Sequence, residues 1–190
     1  MAQADDWSWD RYRPLLKLQF RQLQLDPRFQ RRFDGSDLVQ EAVLQALQNL
    51  DQFRGTSEGE RVKWLQMIFR NKAIDKIREA KAGKADVRRD QSMDDAFAES
   101  SARWDKVLGN DDGRPDQEAE RREFLLPLAT AMEQLAEDQR DAVLLVQLMG
   151  VKIAKAAEQL DKSEKSVSGL VRRGLEKLSK LLPDWKPPNP

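Results

Sequence analysis

The chain has 190 residues, enough for one or two compact domains, and its 33 Lys+Arg balance 33 Asp+Glu to a formal net charge of zero. It holds no Cys and no His, which excludes disulfide frameworks, thiolate metal sites, cysteine nucleophiles and the usual general base together. Nine Gly and 35% charged residues favour helices over sheets; with no apolar run near the ~18 residues that span a bilayer and no signal-peptide plan in Met1 to Asp6, a soluble cytoplasmic chain is expected.

Trp9 to Leu25 carries apolar residues at Tyr12, Leu15, Leu16, Leu18, Phe20, Leu23 and Leu25, which predicts a helix with Pro14 in its first turn. Leu25-Asp26-Pro27 breaks it. Asp37, with Gln40 three residues on, resembles a capping box, and Ser36 is the competing cap. The next helix is expected from about Asp37 to Phe53, with Leu38, Val39, Ala42, Val43, Ala46, Leu47, Leu50 and Phe53 on one buried stripe. A polar loop, Arg54–Gly59, leads into a third helix from about Glu60 to Lys81. Leu65, Ile68, Phe69, Ala73 and Ile77 line its inner side; Lys63, Arg70, Lys72, Lys76 and Lys81 line its outer side. These three helices form the first expected domain, residues 1–82.

From 83 to 116 the periodicity weakens and a breaker cluster, Gly109 to Pro115, predicts a flexible linker. The second expected domain is 117–183. It opens on a helical stretch to Leu135 that Pro127 must restart or kink, followed by an amphipathic helix from Glu137 to Met149 that Gly150 ends. Ile153 to Leu160 is the next helix, Asp161-Lys162 a tight turn, Ser163 an N-cap, and Glu164 to Leu182 the last helix. Residues 184–190 are an extended tail. The fold class expected is all-α: two small helical domains joined by a linker.

The zero net charge conceals blocks. Arg70 to Arg89 is net +5, Asp90 to Glu120 net −7, and Gly150 to Leu182 net +4. Local positive faces are what a polyanion feels within a Debye length of ~8 Å, so two basic segments flanking an acidic one point to nucleic acid.

The strongest chemical signal is Ile153 to Leu178. A short helix, a tight turn and a longer helix make a helix-turn-helix, whose second helix enters the DNA major groove. Ala154, Ala156 and Ala157 supply small residues where the two helices cross, and Asp161 is an acceptable left-handed turn residue. Val167, Leu170, Val171, Leu175 and Leu178 anchor the second helix, while Lys165, Ser166, Ser168, Arg172 and Arg173 face outward, suited to base edges and phosphates. The competing reading is an amphipathic hairpin with a solvated basic face. Gly169 and Gly174, each costing ~1 kcal/mol in a helix, either permit a close backbone approach to phosphate or reflect drift.

Gln139-Arg140, Gly150, Ala157-Glu158-Gln159-Leu160, Ser163, Val167, Arg173 and Leu178 together resemble domain 4 of sigma-70-family RNA polymerase subunits. Asp37-Leu38-Val39-Gln40-Glu41 with Leu44 and Ala46 resembles the family helix that binds the polymerase clamp. Asp51-Gln52-Phe53-Arg54-Gly55, then Trp64-Leu65, Ile68, Arg70-Asn71, Ala73, Asp75 and Arg78, resembles the unit that melts and reads the −10 element. Without an N-terminal acidic region or a third globular domain, the chain is similar to the small extracytoplasmic-function class. Its Leu25-Asp26-Pro27 and Ser36 to Glu41 phrasing resembles members abundant in planctomycete-type bacteria.

The resemblance implies no cofactor and no catalysis. It implies binding to core RNA polymerase (beta-prime clamp helices, beta flap) through Asp37, Leu38, Gln40, Glu41 and Leu44. It implies −10 contact through Arg54, Arg61, Lys63, Arg70, Asn71, Lys72, Lys76 and Arg78, with the loop Arg54 to Val62 as the pocket for an unstacked base. It implies −35 contact through Ser163, Lys165, Ser166, Ser168, Arg172 and Arg173, and, as in many relatives, an anti-sigma partner. Two extra residues between Gly55 and Trp64, and Val62 where an aromatic is frequent, depart from the family pattern. The acidic linker is expected to thread between the domains as a nucleic-acid mimic. The alternatives are a helix-turn-helix regulator acting without core polymerase, which the motif at Asp37 to Glu41 opposes, and a helical adaptor for acidic proteins, whose binding would lack the steep salt dependence of counterion release. An enzyme is the least supported reading.

Overall fold

The computed structural model describes residues 8–25, 37–80 and 115–183. Ser36, most of the expected linker and the tail 184–190 lie outside them, as do the side chains of Ile77 and Arg78. Every regular element among the described residues is helical: α1 (Trp9–Leu25), α2 (Leu38–Gln48), a 3-10 turn (Leu50–Gln52), α3 (Glu58–Ala80), α4 (Pro115–Glu133), α5 (Glu137–Val143) running into a π turn (Leu144–Leu148), α6 (Ile153–Gln159) and α7 (Glu164–Leu181).

α1 spans the range its apolar spacing predicts, although Pro14 falls beyond the first turn and is buried within the helix. α2 stops earlier than expected. At Asn49 the backbone N–H is shared between the Gln45 and Ala46 carbonyls, and a 3-10 turn then swings Phe53 round to pack against Trp64, the rings tilted by 49° with centroids 5.4 Å apart. The stripe Leu38, Val39, Ala42, Val43 and Ala46 is buried, but Leu47 is 40% exposed and leaves it. Asp37 does not cap with its side chain; it contributes only its carbonyl, which accepts from Glu41 N at 2.8 Å.

α3 starts two residues ahead of expectation because Ser57 and Glu60 form a capping box. Glu60 Oε2 accepts from Thr56 N (2.7 Å) and Ser57 N (2.9 Å), and Glu60 N donates to Ser57 Oγ (3.2 Å). Val62, placed in the loop by the sequence reading, is fully buried on α3. α4 passes through Pro127, which points to solvent, so the lost hydrogen bond is tolerated without a break.

After α5 the helix widens into the π turn, with Met149 N donating to Leu144 O at 2.8 Å, and Gly150 at φ +65° ends it in the left-handed conformation expected of a cap. A single apolar core runs through the described residues, from Tyr12, Leu16, Leu38 and Leu65 through Leu125, Leu128 and Met132 to Leu145, Val167 and Leu178. α4 is its hinge. It packs on α1 and α3, while α5 and α6 pack on α7. No helix among the described residues is long and apolar enough to cross a membrane.

Candidate nucleic-acid interface

The helix-turn-helix is built from local signals. Asp161 adopts φ 51°, the left-handed value its short polar side chain tolerates, and Lys162 N donates to Ala157 O at 3.0 Å to close the turn. Ser163 caps α7, its Oγ accepting from Ser166 N at 3.2 Å. Lys162 Nζ pairs with Asp138 at 3.0 Å and ties the turn to α5. Ala156 and Ala157 are buried at the helix crossing; Ala154 is exposed instead, on the rim of a shallow hollow with Glu158 and Lys162.

α7 turns Val167, Leu170, Val171 and Leu178 into the core, with Leu175 half-buried. Gly174 is buried among them, and a Cβ there would lie 2.6 Å from Val143 Cγ2. Its purpose is therefore close packing on α5, not approach to phosphate. Gly169 differs, because an added Cβ would meet only the movable tip of Arg173 at 3.2 Å.

The opposite side of α7 presents Lys165, Ser166, Ser168, Arg172 and Arg173, all exposed. Ser168 Oγ donates to Glu164 O at 2.8 Å, leaving its oxygen as an acceptor. Arg172 pairs with Glu176 one turn on at 2.6 Å. An exposed pair of this kind contributes about 0.3–0.5 kcal/mol, so the guanidinium exchanges readily to a phosphate.

In the first half of the chain, the loop after the 3-10 turn is held from three sides. The capping box fixes its far end. Gly55 lies so close to Phe53 and Glu60 that a Cβ would fall 2.5 Å from the Phe53 ring. Tyr12 of α1 donates to Glu58 Oε1 at 2.6 Å, and Arg11 donates to the other oxygen at 3.2 Å. Burial, then the bond to Glu58, pushes the Tyr12 phenol up to about 12, so it stays a donor at any ordinary pH. Two N–H donors from Ser57 and Thr56 hold the Glu60 carboxyl below its usual range.

Arg54 is exposed, with its guanidinium donating to Asp51 O. Along α3, Lys63 and Asn71 are exposed, and Arg61, Arg70 and Lys72 are half-buried. Lys76 is committed within the fold: its Nζ lies 2.5 Å from Glu41 on α2, and that bond raises its pKa. The pair joins a residue expected to meet DNA to one expected to meet the polymerase.

Asp37, Gln40, Leu44, Leu47 and Gln48 form one exposed stripe along α2, with Leu44 at 57% exposure. Leu38 does not belong to it. It is fully buried under α2, so it anchors the helix and presents nothing to a partner. Met67, 52% exposed between Lys63 and Asn71 on α3, is an interface candidate that the charge pattern hid. The Ser57–Glu60 box was also missed, although its S-x-x-E spacing is legible.

The arrangement offers donors, cations and exposed apolar side chains. Among the described residues no cluster of carboxylates could hold a metal ion. Comparison with known families matches residues 9–83 to Sigma-70 region 2 and residues 125–178 to Sigma-70, region 4. No curated protein is significantly similar to the chain.

Proposed function

The chain belongs to the sigma-70 family, as an extracytoplasmic-function type sigma factor that directs promoter recognition by RNA polymerase, and on that premise we propose which of its surfaces meet polymerase and which meet DNA. The exposed row of α7 reads the −35 element. Lys165 and Ser166, near the helix N-terminus, reach base edges; Arg172 and Arg173, further along, take phosphates, with Ser168 between them. The observation that carries this reading is the division of α7 into a buried apolar side and an exposed side on which Lys165, Arg172 and Arg173 stand among its cations.

The loop from Arg54 to Ser57 and the outer side of α3 take the melted −10 strand. Promoter melting needs a pocket for an unstacked base and cations for the backbone, and no covalent step. The loop's three-sided support favours such a pocket, since a preformed site loses less entropy on binding. Arg61, Lys63, Arg70, Asn71 and Lys72 serve the strand, and Arg78 continues the row by sequence.

The α2 stripe, Asp37, Gln40 and Leu44 joined by Leu47, docks the beta-prime clamp helices. Leu44 and Leu47 supply apolar area and Asp37 a charge for basic partner residues. The second half of the chain meets the beta flap, and the protein works in the cytoplasm beside its polymerase.

Changing Arg172 to Ala tests the −35 assignment. Affinity for a −35 duplex should fall by about 1–3 kcal/mol with a shallower salt slope, while core binding is unchanged. Equal duplex affinity in the variant would remove Arg172 from the interface.

A further inference from the structure

Among the described residues four large apolar side chains stand exposed: Leu44, Leu47, Met67 and Ile153. Leu44 and Leu47 share the α2 stripe with Asp37 and Gln40, a mixed apolar and acidic surface that suits a protein partner. Met67 is placed differently. It is 52% exposed on α3, with Lys63 one turn before it and Arg70 and Asn71 one turn after. Residues 63–71 contain no carboxylate, so the only charges flanking Met67 along this stretch are positive. Val62, Leu65, Ile68, Phe69 and Ile74 of the same helix are buried, which sets Met67 outside the core stripe.

Met67 also continues a track that begins in the loop. Trp64, its neighbour one turn back, packs against Phe53, the residue before Arg54. At 1.5 Å rise per residue, Met67 lies about 5 Å beyond Trp64 along α3 and about 6 Å from both Lys63 and Asn71. Unpaired DNA has two chemistries to satisfy: cations follow its phosphates, and flat apolar contacts take its base faces. A methionine suits the second task. Its polarizable thioether packs favourably on aromatic rings, and its unbranched chain adapts to the ring's position. In a duplex those faces are covered by stacked neighbours, so only an opened strand offers one. A single side chain covers little of the ~800 Å² that a stable protein contact buries per partner, but it matches one base face.

We propose that Met67 is a stacking seat for one unpaired base of the opened −10 strand, beside the base taken by the Arg54–Ser57 loop. The inference deepens the −10 assignment made above and rests on it. Lys63 and Arg70 hold the backbone on either side, so the base reaches the seat through the path of its strand. The thioether sulfur is only a weak hydrogen-bond acceptor, so the seat discriminates little between bases. Its contribution is affinity and register, while base choice stays with the loop.

The test uses full-length protein assembled with purified core polymerase, and the opened −10 strand of a promoter that this holoenzyme transcribes. That single strand is prepared intact and with an abasic site at each position in turn. Met67→Ala should weaken binding of the intact strand about three- to tenfold. At one abasic position, and only there, wild type and variant should bind equally, because the partner of Met67 is already gone. Met67 is exposed and alanine is a good helix former, so the unfolding midpoint and core-polymerase affinity should stay unchanged. Equal affinity of variant and wild type for the intact strand overturns the seat. So does a deficit that persists at every abasic position, or one that appears in core-polymerase affinity instead. A wild-type holoenzyme that transcribes no promoter, or binds its opened strand no better than a scrambled one, overturns the −10 assignment and the inference with it.

Discussion

Gly174 on α7 lies against Val143 on α5 so closely that a Cβ at 174 would sit 2.6 Å from Val143 Cγ2. Val143 is fully buried and its branched side chain has one strongly preferred rotamer in a helix, so it has little room to yield. Gly174→Ala should therefore destabilise the fold by about 1–2 kcal/mol, overpacking outweighing the ~1 kcal/mol gain in helix propensity. Gly169→Ala, facing only the Arg173 tip, should stabilise by about 0.5–1 kcal/mol. Urea unfolding of the two variants checks the contrast. Equal shifts in the same direction would contradict the packing account.

The Arg21–Asp141 pair joins residues 120 apart in sequence. Arg21→Ala strands a buried carboxylate, and Asp141→Ala strands a partly exposed guanidinium. In a double-mutant cycle the coupling should be about 1–3 kcal/mol, larger than for the exposed Lys17–Glu133 pair, which should give under ~1 kcal/mol. A coupling no larger than that of the Lys17 pair would show that Asp141 is effectively hydrated.

Glu60 predicts a pH effect. Its carboxyl is held below the usual 4.5 by N–H donors present only in the folded loop. The unfolded state thus takes up a proton first as the pH falls, and stability present above 4.5 is lost as the pH drops through the lowered folded value. Glu60→Gln keeps an acceptor but removes the titration. Thermal midpoints measured on the acid side should converge for wild type and variant as the pH falls. A constant gap would remove Glu60 from the acid limb.

Leu44 separates stability from function. At 57% exposure, Leu44→Asp should change unfolding stability by no more than about 0.5 kcal/mol. Core-polymerase affinity should nevertheless fall by about 2 kcal/mol, because an apolar anchor is replaced by a charge. Co-purification with core polymerase at wild-type yield would place the docking surface elsewhere.

Features dictated by near neighbours are legible in the chain. The bounds of α1, the Ser163 cap, the left-handed Asp161 and the Gly150 stop all follow from residues within a turn or two. The start of α3 was equally local, but the two glycines around Ser57 read as a breaker and concealed the capping box. The end of α2 was not local. Apolar spacing continues through Leu47, Leu50 and Phe53, whereas the 3-10 turn that replaces the helix brings Phe53 against Trp64, a partner eleven residues on that the spacing does not reveal. Likewise, the cation row on α3 is readable, whereas the withdrawal of Lys76 to Glu41 depends on how α2 lies beside α3. The seam at Arg21 has no sequence signature, since its partners stand 116 and 120 residues away.

The central claim, that this chain directs polymerase to promoters through two separate DNA contacts, is tested most directly by transcription with purified core polymerase on a promoter library. The account predicts initiation confined to templates that share both a −35 and a −10 element, lost when either is scrambled and reduced by Arg172→Ala. Duplex binding by the chain alone, with no promoter-specific initiation when core polymerase is added, would contradict it.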